Sequence, residues 1–307
     1  ASSPPWNLLL MTVAEAAAFP LFVWLLRVYR PLAWLPRWLA VALAWVAVEY
    51  LRSRAPFGGF PWLLLGYAAD RPRILAQCAD LAGVHGLSFA FAAVNGLLLG
   101  VSGGASVLRR RLAAAALITA MALYGHWRVP AISRQQRAGP TVALVQGNIA
   151  QDLKNRPQVD QMWEPYLRLS RQAVQAPLAI DLLVWPETMF PEALNHARDP
   201  RRAYRELERI EGERIREQLV PQVLQPTGAH FLLGALTLLP DAADPRRNEQ
   251  FNSAILFDEH GARRGIYDKA IRVPGGEFIP LRRWLPAQVE RWVLAVADFL
   301  PNLTPGS

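Results

Sequence analysis

Cysteine, lysine and charged residues in general are scarce in this 307-residue sequence. The single cysteine, Cys78, cannot close an intramolecular disulfide, which excludes a disulfide-stapled scaffold and a cysteine-rich zinc domain. Charged residues make up 19% of the chain and hydrophobic residues 52%. This composition excludes a disordered protein and is too apolar for an ordinary soluble enzyme.

Motifs that indicate a bound cofactor are also missing. The sequence contains no P-loop and no G-x-G-x-x-G fingerprint, and no G-x-S-x-G turn that would carry a serine nucleophile. Its histidines show no H-E-x-x-H or comparable metal spacing, and we interpret them as scattered structural residues: His85, His126, His196, His230 and His260. We therefore expect neither a metal ion nor an organic cofactor.

Charge is distributed unevenly along the chain. Residues 1–130 hold 11 arginines, no lysine and 4 acidic residues, whereas residues 131–307 hold 22 basic and 21 acidic residues. This asymmetry predicts a helical membrane region over residues 1–130 and a water-soluble domain over residues 140–307. The net charge of +8 does not indicate a nucleic-acid partner, because the arginines of the first half bracket apolar runs.

Four apolar runs in the first half approach the length that a membrane span requires, which is about 20 helical residues. They cover residues 7–26, 32–51, 81–108 and 112–127. The alternative interpretation is that they are core helices of a large soluble protein. Because all four fall within the first 130 residues, we predict about four membrane spans.

The positions of the arginines predict how these spans are oriented. Two short loops are flanked by three arginines each: Arg27, Arg30 and Arg37, and Arg109, Arg110 and Arg111. Positive loops stay in the cytoplasm, so residues 52–80 and everything after Arg128 should lie on the opposite face of the membrane, which in a bacterium is the periplasm. Residues 57–67, rich in Gly, Pro and aromatics, form either an interfacial loop or a re-entrant wall of a lipid-facing cavity.

After Pro140, short apolar runs alternate with charged amphipathic stretches, a pattern typical of strands and helices in layers. The predicted strands cover residues 141–145, 180–185, 230–236, 253–257 and 265–267. The predicted helices cover residues 159–175 and 199–220. The second half is therefore expected to be an α/β domain.

Glu187 follows an apolar predicted strand and is a candidate reactive group, because a sheet aims the residues at its strand ends into a crevice. An acid between Trp185 and Phe190 would be partly desolvated, which would raise its pKa towards a value suited to a general base. From spacing alone, a solvated turn residue or helix cap after Pro186 is the favoured interpretation.

Lys269 is one of only two lysines, the other being Lys154, in a chain with 31 arginines. A lysine retained in such a chain suits the role of a compact positive charge beside a developing oxyanion. The competing interpretation is a surface lysine balanced by Asp268. Glu277, eight residues further on, either orients the amine of Lys269 or simply follows a turn.

Short blocks of sequence in both halves form a specific series. The first half contains VEYLR at 48–52, GFPW at 59–62, LGY at 65–67 and GVHGLSF at 83–89. The second half contains VQGNI at 145–149 with Gln151 and Lys154, VWPE at 184–187, NSA at 252–254, YDK at 267–269 and VPGGEFIP at 273–280. In this order, over nearly the whole chain, the blocks resemble the apolipoprotein N-acyltransferase family, bacterial inner-membrane enzymes with a nitrilase-like (carbon–nitrogen hydrolase) domain.

This resemblance implies a Glu–Lys–Cys site in an αββα sandwich, with Glu187 as the general base, Lys269 as the oxyanion stabiliser and Glu277 as a supporting residue. The family's cysteine takes an acyl chain from a phospholipid as a thioester and passes it to the α-amine of a diacylglyceryl-cysteine at a lipoprotein N-terminus. The implied partners are a phospholipid, an apolipoprotein and the membrane. The resemblance further implies a monomer that uses no cofactor.

The sequence departs from the family pattern in several places. The family's nucleophilic cysteine lies beyond the block that contains Glu277, so we expect it beyond Ser307. The chain is then an internal fragment, with a truncated nitrilase-like domain that is inactive alone. Gly275 stands where an aromatic residue is usual and Asn155 where tryptophan is frequent, which affects the expected shape of the acyl pocket. Cys78 is interpreted as a small buried hydrophobe.

Two other functions remain open from the sequence. One is a membrane-tethered amidase of the nitrilase superfamily, in which water accepts the acyl group. The other is a non-catalytic membrane module that has lost its thiol and serves in binding or assembly.

Overall fold

The computed structural model describes most of the chain: residues 12–13, 15–30, 32, 34–55, 59–71, 73–99, 105–149, 159–196, 204–240, 248–274, 276–279, 282–286, 288 and 303–306. The predictions that involve Lys154, Asn155 and Gly275 lie outside these ranges, as do the beginnings of the first predicted span and of the helix predicted from residue 199. The chain divides into two compact units, Ser2–Arg137 and Ala138–Ser307.

The first unit is helical. Its elements are α1 (Ala18–Tyr29), α2 (Arg37–Arg52), a 3₁₀ turn (Leu65–Asp70), α3 (Arg73–Ala76), α4 (Ala79–Leu98) and α5 (Ala105–Gln135). Helices α2 and α4 pack closely because small side chains line their contact, with Ala42, Ala92 and Ala93 almost fully buried. A Cβ atom on Gly96 of α4 would lie only 2.7 Å from the Cα atom of Trp38.

Among the described residues, two helices are long and apolar enough to cross a membrane, judged by length and composition: α4 and residues 106–135 of α5. Helix α1 is apolar but has 12 residues, and α2 has 16. The four predicted spans therefore stay a prediction. The third was wrong in extent, since α4 ends where Leu99 turns extended, and Arg109–Arg111 lie within α5 and not in a loop.

A buried carboxylate fixes the turn between α2 and α4. Oε1 of Glu49 accepts hydrogen bonds from the indole of Trp45 (2.9 Å) and from the backbone N–H of Leu65 (2.6 Å). The next backbone N–H, of Gly66, donates to Oγ of Ser88 at 2.8 Å. Both buried groups thus satisfy backbone donors, as a low-dielectric interior requires. The interfacial and re-entrant interpretations of residues 57–67, whose first two residues lie outside the description, stay open.

The second unit contains one mixed sheet. Its strands are β1 (Val142–Leu144), β2 (Leu182–Trp185), β3 (Leu194–Asn195), β4 (His230–Leu239), β5 (Glu249–Phe257) and β6 (Arg263–Asp268). Their order is β1-β2-β4-β5-β6, with β3 beside β4; β1, β2, β3 and β4 are parallel, while β5 and β6 run antiparallel to their neighbours. The predicted α/β character is confirmed. Strands β4 and β5 exceed their predicted lengths because they stay paired from Phe231 to Leu239.

Helices cover one face of this sheet. They are α6 (Val159–Val174) and α7 (Arg205–Glu211), which continues with wider, π-type winding over Gly212–Leu224 and ends in an α-helical turn over Gln225–Thr227. The second of the two predicted helices thus extends seven residues past its predicted end at residue 220, to Thr227. The core between helices and sheet includes Trp163, Trp185 and Phe231, all at most 2% exposed, and the indole of Trp185 donates to Oγ of Ser170.

The opposite face of the sheet, which we call the open face, is apolar and more exposed. It carries the residues that alternate with the core positions: Val142, Leu144, Val184, Leu232, Leu256 and Tyr267. Leu144 is 78% exposed and Tyr267 68% exposed. The end of β2 and the neighbouring ends of β5 and β6 meet at this face, and they carry the candidate site.

Candidate active site

The position of Glu187 depends on a glycine in the neighbouring strand. Directly after β2, the backbone crosses over Gly234 of β4, whose carbonyl accepts hydrogen bonds from the N–H groups of Met189 (3.1 Å) and Phe190 (3.3 Å). A Cβ atom on Gly234 would lie 2.6 Å from the Cα atom of Glu187, so only glycine allows this approach. Thr188 adopts a left-handed backbone with φ +53°, which sharpens the turn.

Glu187 is more exposed than its flanking aromatic residues predict. Its side chain is 60% exposed, whereas Trp185 and Phe190 are buried in the core on the other side of the sheet. The predicted desolvation of Glu187 by these two residues is therefore wrong. Alternation within a strand would point Trp185 and Glu187, two residues apart, to the same face, but β2 ends at Trp185 and the chain turns away before Glu187.

Lys269 joins two carboxylates that are far apart in sequence. Its Nζ atom lies 2.8 Å from Oε1 of Glu277 and 3.1 Å from Oε1 of Glu187. Lys269 follows the last residue of β6, and its backbone N–H donates to the carbonyl of Asn252 at 2.9 Å, which extends the pairing of β5 and β6 by one residue. The structure thus brings all three predicted site residues into direct contact.

Asp268 does not balance the charge of Lys269, which corrects the competing interpretation of that lysine. Asp268 points to the helix-covered face, where its carboxylate contacts His196 at 2.8 Å and Ser253 at 2.6 Å. Lys269, with 32% of its side chain exposed, points to the other face and pairs with the two glutamates.

Asn252 is a further member of the cluster to which the sequence assigned no role. Its amide nitrogen donates to Oε1 of Glu187 and, at 3.2 Å, to Oε1 of Glu277. Asn252 is 8% exposed and lies on β5, so its position is fixed by strand pairing. The same two carboxylate oxygens therefore accept hydrogen bonds from both an ammonium and an amide. The NSA block contains Asn252, but an isolated asparagine in a strand carries no spacing signal for this contact.

The charges of the cluster support one another. Burial acts to lower the pKa of the Lys269 ammonium, but hydrogen bonds from its Nζ to Glu277 and Glu187 outweigh burial and hold that pKa above its ordinary value. Burial acts to raise the pKa of Glu277, yet hydrogen bonds from Lys269, the Val273 backbone and Asn252 leave that pKa below its ordinary value. Glu277 is therefore ionised and Lys269 protonated at neutral pH.

This arrangement suits acyl-transfer chemistry. An exposed carboxylate at a strand end can accept a proton, and a neighbouring ammonium can stabilise the negative oxygen of a tetrahedral intermediate. Among the residues that the structure describes, no thiol lies in this unit, since Cys78 belongs to the first unit, where it contacts the Met121 carbonyl. Within the same residues, no three His, Cys, Asp or Glu side chains form a metal-binding group.

Comparison with known proteins supports the resemblance predicted from the sequence. Residues 1–97 match the family model described as apolipoprotein N-acyltransferase N-terminal domain. The apolipoprotein N-acyltransferase of Geobacter metallireducens is 33% identical over 278 residues, which cover 85% of this chain and 47% of that protein. That of Azotobacter vinelandii is 32% identical over 318 aligned positions, covering 97% of this chain and 54% of that protein.

The relatives of this chain are apolipoprotein N-acyltransferases. The chain spans about half the length of the curated relatives it matches. Among solved structures, a carbon–nitrogen hydrolase from Helicobacter pylori G27 is similar. The match covers 43% of this chain and 40% of that chain, with 17% identity and a TM-score of 0.29.

Proposed function

We propose that this chain is part of an apolipoprotein N-acyltransferase, in which Glu187, Lys269 and Glu277 carry the transfer of an acyl chain from a phospholipid to a lipoprotein. The observation that carries the proposal is the contact of Lys269 Nζ with both glutamates, of which Glu187 lies 82 residues earlier in the sequence. The similarity to apolipoprotein N-acyltransferases over most of the chain supplies the reaction class.

The first half-reaction forms a thioester. Glu187 takes the proton of a cysteine thiol, and the sulfur attacks the ester carbonyl carbon of the phospholipid. The carbonyl oxygen becomes negative and is stabilised by the Lys269 ammonium. When the tetrahedral intermediate collapses, the ester C–O bond breaks, and the lysophospholipid leaves with the proton returned by Glu187. Glu277 and Asn252 hold Lys269 and Glu187 in place throughout.

The second half-reaction consumes the thioester. The free α-amine of the diacylglyceryl-cysteine attacks the thioester carbonyl carbon, and Lys269 stabilises the same oxygen again. The C–S bond breaks as the amide forms, and the proton lost by the amine passes through Glu187 to the departing sulfur. The products are an N-acylated lipoprotein and the regenerated thiol.

The nucleophilic cysteine is proposed to come from a segment beyond Ser307, within a nitrilase-like αββα sandwich. Support for a further layer comes from the open face, where Leu144 is 78% exposed and Tyr267 68% exposed. An apolar sheet face of this kind is normally covered by a second sheet or by helices. Glu187, Lys269 and Asn252 lie at this face, so a covering sheet would deliver a side chain to them.

The membrane setting is also part of the proposal. Both substrates carry acyl chains, and α4 and α5 supply helices of membrane-spanning length and composition. We place the first unit in the bacterial inner membrane as a multi-span anchor, with the second unit on the periplasmic side. The arginines of α1 and at the start of α5 support this orientation. The enzyme is proposed to act as a monomer.

Incubating the full-length protein with phospholipid and a synthetic diacylated lipopeptide tests this function. The expected product is a triacylated lipopeptide, detected by its mass. Glu187→Gln and Lys269→Met should each lower its rate of formation at least about a hundredfold, because they remove the base and the oxyanion stabiliser. Retained transfer in either variant, with unchanged thermal unfolding, would refute the assigned roles.

The same incubation separates the proposal from its alternatives. A membrane-tethered amidase would release free fatty acid and leave the lipopeptide diacylated. A non-catalytic module would yield neither product. As a control, Glu213→Gln alters an exposed glutamate that pairs only with Arg209 among the described contacts, and it should leave the rate unchanged.

A further inference from the structure

A chain of hydrogen-bonded side chains runs behind the Glu187–Lys269–Glu277 site, on the helix-covered face of the sheet. Thr237 Oγ1 lies 2.7 Å from Ser253 Oγ, which lies 2.6 Å from Asp268 Oδ1. The other oxygen of Asp268 lies 2.8 Å from His196 Nε2. Thr237 and Ser253 are at most 2% exposed, so a row of polar groups occupies positions where a sheet normally buries apolar side chains.

The chemistry of the groups fixes the direction of these hydrogen bonds. An ionised carboxylate only accepts, so the single hydroxyl proton of Ser253 is donated to Asp268. Thr237 must then donate its proton to Ser253, and the Nε2–H of His196 is donated to Asp268. Every hydrogen bond among these four side chains is therefore directed towards the carboxylate of Asp268. A network in which each member is satisfied rigidifies the strands that carry it.

Strand alternation connects this network to the site. Ser253 and Asp268 pair across β5 and β6 and point to the covered face. Their direct neighbours Asn252 and Lys269 point to the opposite face, where both contact Glu187 and Glu277. Holding Ser253 and Asp268 in place thus fixes the two residues that donate hydrogen bonds to the glutamates.

Lys269 needs such support because of its place in the fold. β6 is the last strand in the sheet order, and none of its residues is buried, so few apolar contacts stabilise its end. Beyond Asp268, the described backbone hydrogen bonds of Lys269 are those to the Asn252 carbonyl and from the Gly306 N–H. Strand ends with few buried contacts open locally at low free-energy cost.

His196 anchors the network to a separate part of the sheet. It directly follows β3, and its backbone N–H donates to the carbonyl of Leu238 in β4 at 2.9 Å. Its ring stacks on Phe251, with 4.4 Å between the ring centres. The backbone hydrogen bond and the ring contact therefore hold the imidazole in position independently of its contact with Asp268.

We propose that His196, Asp268, Ser253 and Thr237 are positioning residues, which hold the end of β6 so that the Lys269 ammonium stays between the two glutamates. None of the four contacts these glutamates in the described structure, so they act through Lys269 and Asn252. The catalytic meaning of this inference rests on the proposed function, but its structural content does not.

Competitive labelling of the two lysines tests the inference without any need for activity. The purified chain in detergent is treated with trace acetic anhydride between pH 7 and 11, and modification of Lys269 and Lys154 is quantified by mass spectrometry. Lys154 serves as the internal reference in each sample. If the network loosens, Lys269 leaves the glutamates that raise its pKa and reacts faster near pH 9.

The variants separate the hydrogen bond from the packing of His196. His196→Phe keeps a ring to stack on Phe251 but removes the donor, and Ser253→Ala removes the central hydroxyl. Each should raise the labelling ratio of Lys269 to Lys154 about threefold, the change that half a pKa unit produces. His196→Gln retains an N–H donor and should restore a ratio close to that of the unmodified chain.

Thr227→Val is the matched control, because it also deletes a hydroxyl but one that bonds only within its own helix end in the described contacts. It should leave the ratio unchanged. An unchanged ratio in both His196→Phe and Ser253→Ala, in folded protein, would overturn the inference. If His196→Phe does not fold, His196→Asn, whose side-chain donor is shorter, is tested in its place. The labelling ratio is again expected to rise about threefold.

Kinetics of the full-length enzyme add a readout that a purely structural role would not give. His196→Phe should lower kcat about tenfold at an unchanged KM for phospholipid, since a displaced Lys269 affects the transition state and not substrate binding. Equal loss in kcat with no change in lysine labelling would contradict the positioning role. If His196→Phe alters the labelling but the unmodified full-length protein transfers no acyl group, the proposed function is refuted and the positioning inference is not.

Discussion

At the scale of single residues, the site is held together by shared acceptors. Oε1 of Glu187 and Oε1 of Glu277 each accept from both Lys269 and Asn252, so four side chains form one closed cluster. Hydrogen bonds that involve charged groups are the strongest that proteins make, and they fix geometry as well as charge. Because its side chain remains 60% exposed, Glu187 stays accessible to a reacting group while it belongs to the cluster.

The lowered pKa of Glu277 leads to a prediction of how stability depends on pH. Its pKa is below the ordinary value of 4.5 in the folded state, so it contributes stability above pH 4.5 that is lost as pH falls through its folded pKa. We expect the free energy of unfolding of the second unit to fall more steeply below pH 4.5 in the unmodified chain than in Glu277→Gln. Urea unfolding at several pH values, followed by tryptophan fluorescence, measures this. Parallel pH profiles for the two proteins would contradict the assignment.

The close packing of Gly234 in β4 against the backbone of Glu187 leads to a second prediction. Gly234→Ala should destabilise the second unit by about 1–3 kcal/mol, because the new methyl group overlaps the backbone of Glu187. It should also lower acyl transfer in the full-length protein by about 10- to 100-fold, since small displacements of a catalytic group are costly. Urea unfolding and product mass measure the two effects.

Gly265→Ala provides the comparison for that experiment. Gly265 lies in β6, and a Cβ atom placed on it meets no atom within 4 Å. Stability and transfer should therefore remain near those of the unmodified protein. Equal behaviour of the two alanine variants would show that close packing against Glu187 is not what Gly234 provides.

At the scale of elements, sequence patterns predicted the strands better than the contacts between them. Short apolar runs between charged stretches predicted five of the six described strands, because strands that pack in a core carry apolar residues. The two-residue strand β3 was missed, since Leu194–Asn195 is too short for any pattern. The predicted helix over 199–220 extends to Thr227, because Val223 and Leu224 are buried in the core and the helix ends only at the left-handed Gly228.

The site could be predicted only in part, for a reason that also lies in the elements. Glu187, Lys269 and Glu277 were predicted through resemblance, whereas spacing alone favoured a solvated turn for Glu187. Asn252 and His196 carry no local signal, because their roles depend on the register between strands far apart in sequence. Register follows from the whole hydrophobic pattern of a sheet and cannot be assigned to one residue from its neighbours.

A buried ion pair ties α7 to β6 and offers a prediction at this scale. Arg263 forms a bidentate contact with Glu211, and the side chains are 10% and 7% exposed. Glu211→Gln should destabilise the second unit by about 3 kcal/mol, because it leaves a buried guanidinium charge without its carboxylate. Glu213→Gln breaks the exposed pair with Arg209 and should cost less than about 0.5 kcal/mol. Urea unfolding of both variants decides, and equal costs would contradict this account of the pair.

At the scale of the whole molecule, an apolar helical unit precedes an α/β unit along the chain. Composition alone predicted this division, because the first 130 residues hold 15 charged residues and the remaining 177 hold 43. The extent of the spans was harder to predict, since an apolar run does not show where the backbone leaves the helix, as it does at Leu99. The number of spans and their orientation therefore remain predictions.

Reporter fusions test the proposed orientation. Alkaline phosphatase, which is active only in the periplasm, should be active when fused after Ser307 and inactive when fused after residue 103, between α4 and α5. The reason is that the arginines at the start of α5 should keep that connection in the cytoplasm. The opposite pattern would reverse the proposed orientation, and activity at both sites would exclude α5 as a membrane span.

The central claim is that one lysine, held between two glutamates, stabilises the oxyanion of acyl transfer. The most direct measurement is the rate at which the full-length protein becomes acylated in a single turnover with phospholipid, followed by intact-protein mass. The unmodified protein should gain the mass of one acyl chain, which hydroxylamine then removes as expected for a thioester. Lys269→Met should acylate at least about a hundredfold more slowly. Acylation of the Lys269→Met protein at the unmodified rate would contradict the claim.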